Sequence, residues 1–168
     1  MKLTLRKITK EDRDFFVKYL NEDINYHKYL HTPFPYHKKD ATFWINKCLK
    51  EYTKKNPTDY SYIILVDDVP VGGIGFQNLN LKHNNSEIGF WIAKEFRRQG
   101  IMQNAIKMIC YIGFKQLKLV RIWSAVSGKN LVSQKLMDAC GFKLEGKLKK
   151  SMKIDNKYED ILIYAIVK

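Results

Sequence analysis

Between Glu87 and Phe114 the hydrophobic period of the chain changes once, and that change dictates a strand, a tight basic turn and a helix in succession. In Glu87 to Ala93 the residues Ile88, Phe90 and Ile92 alternate with Glu87, Gly89, Trp91 and Ala93, which is the two-residue repeat of a strand. From Ile101 onward Ile101, Ala105, Met108, Ile109 and Ile112 recur at helical spacing, with Gln103, Asn104, Lys107 and Lys115 on the other face. The turn between them is Lys94-Glu95-Phe96-Arg97-Arg98-Gln99-Gly100. The first N–H groups of a helix lack partners within it, and with the helix dipole they make a site for an anion. Gly100 lets backbone approach a bulky phosphate, and Arg97 and Arg98 add charge, so the expected ligand carries a phosphate or pyrophosphate. An ordinary strand-to-helix turn with solvated arginines has the same letters, and one glycine does not decide between the two.

The flanking segments supply the rest of a layered domain. Leu3, Leu5 and Ile8 suggest a first strand, and Thr9 or Lys10 before Glu11-Asp12 marks a helix start, with Phe15, Phe16, Tyr19 and Leu20 inward. Asn25 to His37 is aromatic-rich and reads as a loop, because Pro33 and Pro35 forbid a continuous helix. His27 and His31 have an i,i+4 spacing but no third ligand, so no metal site is expected. Lys39 to Lys55 reads as a helix with Phe43, Trp44, Cys48, Leu49 and Tyr52 inward, stopped before Pro57. Tyr60 to Val66 and Val71 to Leu79 form a hairpin about Asp67-Asp68-Val69-Pro70. Gly72-Gly73-x-Gly75 precedes no helix and is not a dinucleotide fingerprint. After the central helix come a strand from Leu119 to Ala125 and a helix from Asn130 to Cys140, with Leu131, Leu136 and Ala139 inward. Two last strands, Phe142 to Ser151 and Tyr158 to Val167, turn at Asp155-Asn156. The order of elements is that of an α/β domain.

With 168 residues and 45% hydrophobic content the chain is expected to be one globular domain, 1–168. The net charge of +13 favours anionic partners: a nucleotide-like cofactor, nucleic acid or the ribosome surface. Cys48, Cys110 and Cys140 are far apart and form no CxxC pair, which predicts reduced thiols in the cytoplasm. No apolar run approaches the about 18 residues of a membrane span, and the start MKLTLRKITKED lacks a signal-peptide core, so no membrane association is expected.

Arg97-x-x-Gly100-x-Met102 resembles the acetyl-CoA-binding motif of the GNAT superfamily of N-acetyltransferases, which reads Arg or Gln, two residues, Gly, one residue, then Gly or Ala. Met102 departs from the small last residue, but the RimJ/RimL-type branch, which acetylates ribosomal-protein N-termini, often reads Gly-Ile-Met there. Asn130, Ser133, Gly141 and Phe142 similarly look like that family's Asn-x-x-Ser…Gly-Phe segment, and the closing stretch from Phe142 to Ile166 is similar to the end of that branch. The resemblance implies a single-domain GNAT fold: a mixed, mostly antiparallel central sheet of about seven strands flanked by helices. It implies acetyl-CoA as cofactor, with coenzyme A as product. The pantetheine arm falls to the main chain of Trp91, Ile92 and Ala93, with an N–H near Ile92 for the oxyanion. The pyrophosphate falls to the turn and helix start, Arg97, Arg98, Gln99, Gly100, Ile101, Met102 and Gln103. Asn130 and Ser133 complete the set, Asn130 either capping its helix or meeting the cofactor.

For proton transfer, many family members have a tyrosine where this chain has Met137, which cannot give a proton, so Ser133 is the expected acid unless it is merely a capping or exposed serine. Glu87 is the expected base, acting through water or by holding the ammonium group; the alternative is a glutamate paired with a lysine. Some ribosomal-protein members carry an acidic residue in the last hairpin, where this chain has Ser151-Met152-Lys153. The leading hypothesis is thus an N-acetyltransferase acting on a primary amine such as a protein or peptide N-terminus, as a monomer or homodimer. A small-molecule enzyme for polyamines or aminoglycosides is the second, although a positive field disfavours polycations. A non-catalytic basic RNA- or ribosome-binding module is the third, suggested by the charge and 13% aromatic content. The scattered lysines favour an enzyme.

Overall fold

Five helices punctuate the chain in the computed structural model, which describes residues 1–168: α1 (Arg13–Leu20), α2 (Asn25–Leu30), α3 (Lys38–Tyr52), α4 (Ile101–Tyr111) and α5 (Leu131–Ala139). The strands are β1 (Leu3–Lys7), β2 (Tyr60–Val66), β3 (Val69–Asn80), β4 (Asn85–Ile92), β5 (Arg121–Ser127), β6 (Lys143–Ile154) and β7 (Lys157–Val167). They form one sheet in the order β1-β2-β3-β4-β5-β7-β6. All neighbours are antiparallel except β4 and β5, which α4 joins as a crossover. This is the mixed, mostly antiparallel α/β sheet that the sequence implied.

The two-residue period of β4 sends alternate side chains to opposite faces, and each face has its own core. Ile88 joins Val71, Ile74, Phe76 and Ile122 beneath Ile101, Ala105, Ile106 and Ile109 of α4 and Met137 of α5. Trp91 packs on the other face, where Phe16, Leu20, Tyr26, Ala41, Ile45 and Cys48 cover Ile63 and Leu65. Fully burying an Ile or Phe side chain contributes about 1.5–3 kcal/mol, so the α4 face carries much of the stability. Tyr52 fastens α3 to the sheet: its hydroxyl accepts from Ile8 N–H at 3.0 Å and donates to Ser61 O at 2.5 Å. At the start of α1 the Asp12 carboxylate holds Thr9 N–H at 2.7 Å and the Arg6 guanidinium by two bonds.

Three expectations are corrected. The aromatic segment expected as loop contains α2, which is possible because the helix ends at His31 in a left-handed conformation, φ 53°, before either proline. On α3 the buried face runs through Ala41, Ile45 and Cys48, while Phe43 is 75% exposed. On α5 the inward residue is Met137, and Leu131 and Ala139 face solvent. The hairpin turn at Asp155-Asn156 is as expected, both residues having positive φ. No helix is long and apolar enough to cross a membrane. The three cysteines are free thiols, and burial pushes Cys48 up to about 11 and Cys110 to about 12.

Candidate active site

Parallel pairing of β4 with β5 lasts only from Asn85 to Glu87, opposite Arg121 to Trp123. Beyond it β5 turns wholly to β7, and β4 runs on to Ile92 beside β3 alone. A gap therefore opens along β4, closed at its inner end where Ser124 Oγ donates to Ile88 O at 3.1 Å. Ala93 N–H donates to Val71 O at 2.9 Å while Gly72 stands opposite Ile92, so Ile92 is a non-hydrogen-bonded place in the antiparallel ladder. By the same alternation Phe90 and Ile92 point their N–H and C=O groups away from β3, into the gap. Trp91 and Ala93 do not: Trp91 is paired with Gly73, and its ring lies against Phe15 and Tyr26. Of the three expected pantetheine residues only Ile92 offers main chain to the gap, and its carbonyl accepts the Tyr26 hydroxyl at 2.5 Å. Phe90 was missed, because ladder phase cannot be read from one strand.

At the open end of the gap the chain makes a 3-10 turn over Lys94–Phe96 and starts α4 at Ile101. Gly100 has φ 73°, a left-handed conformation suited to glycine, and nothing lies within 4 Å of where a Cβ would be. The first intrahelical bond is Asn104 N–H to Gly100 O at 3.1 Å, and no side chain caps the helix. The N–H groups of Ile101, Met102 and Gln103 thus precede the ladder and make an anion site beside open space. The Met102 side chain is 7% exposed within the core, so only its backbone is available. The Arg97 guanidinium is held by Asp23 at 2.8 Å and lies over the Tyr26 ring, whereas Arg98 is exposed without an acidic partner. Gln99 bonds back to Glu95 O, and the Gln103 amide reaches Ala139 O at 3.3 Å, tying α4 to α5.

Because α5 begins just past the carboxyl end of β5, as α4 does past β4, both helix starts flank the mouth of the gap. Ligands of α/β sheets bind at such a place. Asn130 is the cap of α5: its Oδ1 accepts Ser133 N–H at 3.1 Å. Ser133 is half-buried on the first turn, and its hydroxyl has no partner within the protein. Met137, one turn on, is fully buried.

The opposite face holds a cavity of about 440 Å³ between the α1–α3 layer and strands β2 to β4, and its lining includes Gly89, Phe90 and Gln77. Glu87, opposite Gln77 on β4, is half-buried and accepts from Asn78 Nδ2 at 3.1 Å rather than from a lysine. Burial pushes its carboxyl above the usual carboxylate range, offset in part by Asn78 and the Ala125 N–H. His27 bonds Thr32 Oγ1 through Nδ1 at 2.9 Å, and His31 leaves the helix, so the two do not share a face.

Residues 2–143 match the family description "Acetyltransferase (GNAT) domain". A Bacillus subtilis protein named as a candidate ribosomal N-acetyltransferase, YdaF, is 30% identical over 105 residues, covering 62% of this chain and 57% of that protein. The RimL ribosomal L7/L12 alpha-N-protein acetyltransferase in complex with coenzyme A superposes with a TM-score of 0.85 over 99% of this chain and 94% of that one, at 17% identity. The Vibrio cholerae spermidine N-acetyltransferase in complex with CoA and spermine gives 0.84 over 98% and 95%, at 22% identity. At these identities the two structures speak to the fold alone.

Proposed function

The chain belongs to the acetyltransferase (GNAT) family, acyltransferases that take acetyl-CoA as donor, and from that premise we propose that its acceptor is the α-amine of a protein or peptide N-terminus. The observation that carries this is the position of Phe90. Its main chain lines the gap that leads to the start of α4, while the residue also borders the cavity on the other face. Donor and acceptor thus meet at one strand residue. The kinship to a protein named for ribosomal substrates, YdaF, supports a protein acceptor.

Acetyl-CoA supplies the thioester whose acyl carbon the amine attacks. Phe90 and Ile92 hold the donor's arm by main-chain bonds, and Ile101 to Gln103 with Arg98 hold its phosphates. The Phe90 N–H, deeper in the gap than Ile92, is the fixed donor for negative charge that develops on the carbonyl oxygen. Glu87 draws the proton from the incoming ammonium through water. Ser133, with its hydroxyl uncommitted, gives its proton to the leaving sulfur and regains one, through water, from the attacking nitrogen as the amide forms, and Asn130 holds the helix turn that presents it.

The test is direct. Acetyl-CoA should raise Tm, and peptides with free N-termini should release free thiol from it, whereas the same peptides N-terminally blocked but carrying a lysine should not. Equal acetylation of the blocked peptides would overturn the α-amine assignment. The ribosome is the proposed further partner of the exposed lysines on β6, Lys143, Lys149, Lys150 and Lys153. Co-sedimentation with ribosomes that falls steeply with salt would support it, and its absence at low salt would exclude it.

A further inference from the structure

The cavity next to Phe90 differs sharply in chemistry from the rest of the molecule. The chain carries 30 lysines and arginines, yet none of them lines this cavity. Its only carboxylate is Asp40, whose oxygen already accepts His37 N–H at 2.8 Å as part of the α3 cap. The walls are mostly rings and aliphatic groups, among them Phe16, Tyr36, Trp44 and Tyr62, with the polar side chains of His31, Thr32, Ser61 and Gln77 between them. Burial pushes the Tyr36 and Tyr62 phenols up to about 12, so they stay neutral. The floor includes strand positions without side chains: a Cβ on Gly75 would come 2.9 Å from Ser61 Cα, and one on Gly89 would come 2.5 Å from the amide nitrogen of Gln77, whose side chain lies over it. A volume of about 440 Å³ lies within the range of small-ligand sites.

Each feature removes a class of acceptor. A polyamine would place its further ammonium groups among rings where Asp40, already bonded to His37 N–H, is the single carboxylate, and a buried charge held away from it is strongly unfavourable. A free amino acid would place its carboxylate where no lysine or arginine stands and His31 is the one imidazole. What remains is one positive charge, met by Glu87 just past the lining, where it pairs with Gln77, and attached to a body that gains by leaving water. We propose that the acceptor is a singly charged primary amine carried on a bulky apolar body, seated between Phe16, Tyr36, Trp44 and Tyr62 above Gly73, Gly75 and Gly89. This rests on the N-acetyltransferase function proposed above. Two sources have this chemistry: a polypeptide whose first residue is large and apolar, and a free alkyl- or arylalkylamine.

The experiment measures kcat/KM by free-thiol release for peptides identical except at residue one, with Leu, Phe, Met, Ser, Gly or Asp there, beside hexylamine, phenethylamine and spermidine. Apolar-first peptides or the apolar amines should exceed Ser- and Gly-first peptides and spermidine at least about tenfold, the scale on which a pocket discriminates single methylenes. If peptides lead, the body is an N-terminal side chain; if free amines lead, it is a small molecule. Trp44→Ala should erase most of that preference. Phe43→Ser, at a rim position 75% exposed and safe for folding, should reduce it by a smaller factor. An unchanged acetyl-CoA-induced Tm shift in both variants shows that donor binding is intact. Turnover with Ser- or Gly-first peptides or spermidine equal to or above the apolar set overturns the inference and leaves the transferase standing. No thiol from any amine fells the transferase itself, and the inference with it.

Discussion

Beneath α4, Ile101, Ala105, Ile106 and Ile109 close on Ile74, Phe76, Ile88 and Ile122, every one of them 3% exposed or less and none of them polar. Beneath α1 and α3 the same sheet meets the rings of Phe16, Tyr26 and Tyr36; Tyr26 spends its hydroxyl on the Ile92 carbonyl, and a cavity is left beside Phe16 and Tyr36. The first face is closely packed and fixes the start of α4 relative to β4, which is what a donor shared by a whole family requires. The second holds space under a layer of rings that can change without moving the catalytic strand. The chemistry and its specificity are therefore separated by the thickness of one sheet.

The largest expected effect breaks this contrast by stability. Ile106→Ala, fully buried under α4, should lose stability in the upper part of about 2–5 kcal/mol, because lost transfer energy and a closed void add. Leu20→Ala, whose side chain borders the existing cavity, should fall in the lower part, since it enlarges an opening rather than making a void. Chemical denaturation of both variants measures the pair. Equal losses would mean that the α1–α3 face is as tightly packed as the other.

Next in size is Gly100→Asp, on the donor side. A ligand present at 1,000 times its Kd stabilises the native state by about 4 kcal/mol, and bulk plus negative charge at the start of α4 should abolish most of that Tm shift with acetyl-CoA. The aspartate also faces the left-handed φ of 73°, so the unliganded Tm must be recorded alongside. A full acetyl-CoA shift in this variant would move the phosphate site away from α4.

Much of the donor side was legible in the sequence because it is local: the change of period at Gly100 sets strand, turn and helix within one run of residues. The acceptor side and its ties to the donor side were not, since their parts come from far apart. Asp23 meets Arg97 across 74 positions, and Tyr26 meets Ile92 across 66. The turn and a half of α2 is too short to display a period before Pro33. Phe90 was missed for a subtler reason. Which alternate residues face the gap depends on hydrogen-bond phase against β3, and side-chain alternation within β4 cannot reveal it.

Ser133→Ala tests the helix that faces the gap from the far side. Loss of a general acid should lower kcat by roughly tenfold to a thousandfold while leaving acetyl-CoA affinity unchanged. Single-turnover rates beside equilibrium binding separate the two, and a change in affinity alone would make Ser133 a binding residue. A tyrosine at Met137 cannot take over the role, since that side chain is fully buried and a phenol there would overpack the core.

Glu87→Gln is expected to have the smallest effect and joins the two faces, because Glu87 sits on the catalytic strand opposite Gln77, which lines the cavity. Burial raises its carboxyl pKa, so the folded state holds the proton more tightly than the unfolded chain. The stability this gives is fully present below the unfolded value, near the ordinary 4.3 of glutamate, and is lost as pH rises through the higher folded value. Glutamine cannot ionise, so the variant should match the wild type in acid and become the more stable of the two toward neutrality, by a small margin in Tm. Activity should move the other way. If the carboxylate draws the ammonium proton, wild-type kcat/KM climbs with pH through the raised pKa, and the variant should lose that limb along with roughly tenfold in rate, at the lower edge of general-base effects because a water intervenes. The second limb, set by an α-amine near 7.7–8.0, should survive in both. An acid limb that persists in Glu87→Gln would take the proton transfer away from Glu87. A limb that vanishes without the Tm difference would show that the carboxylate titrates at its ordinary value and that burial does not tune it.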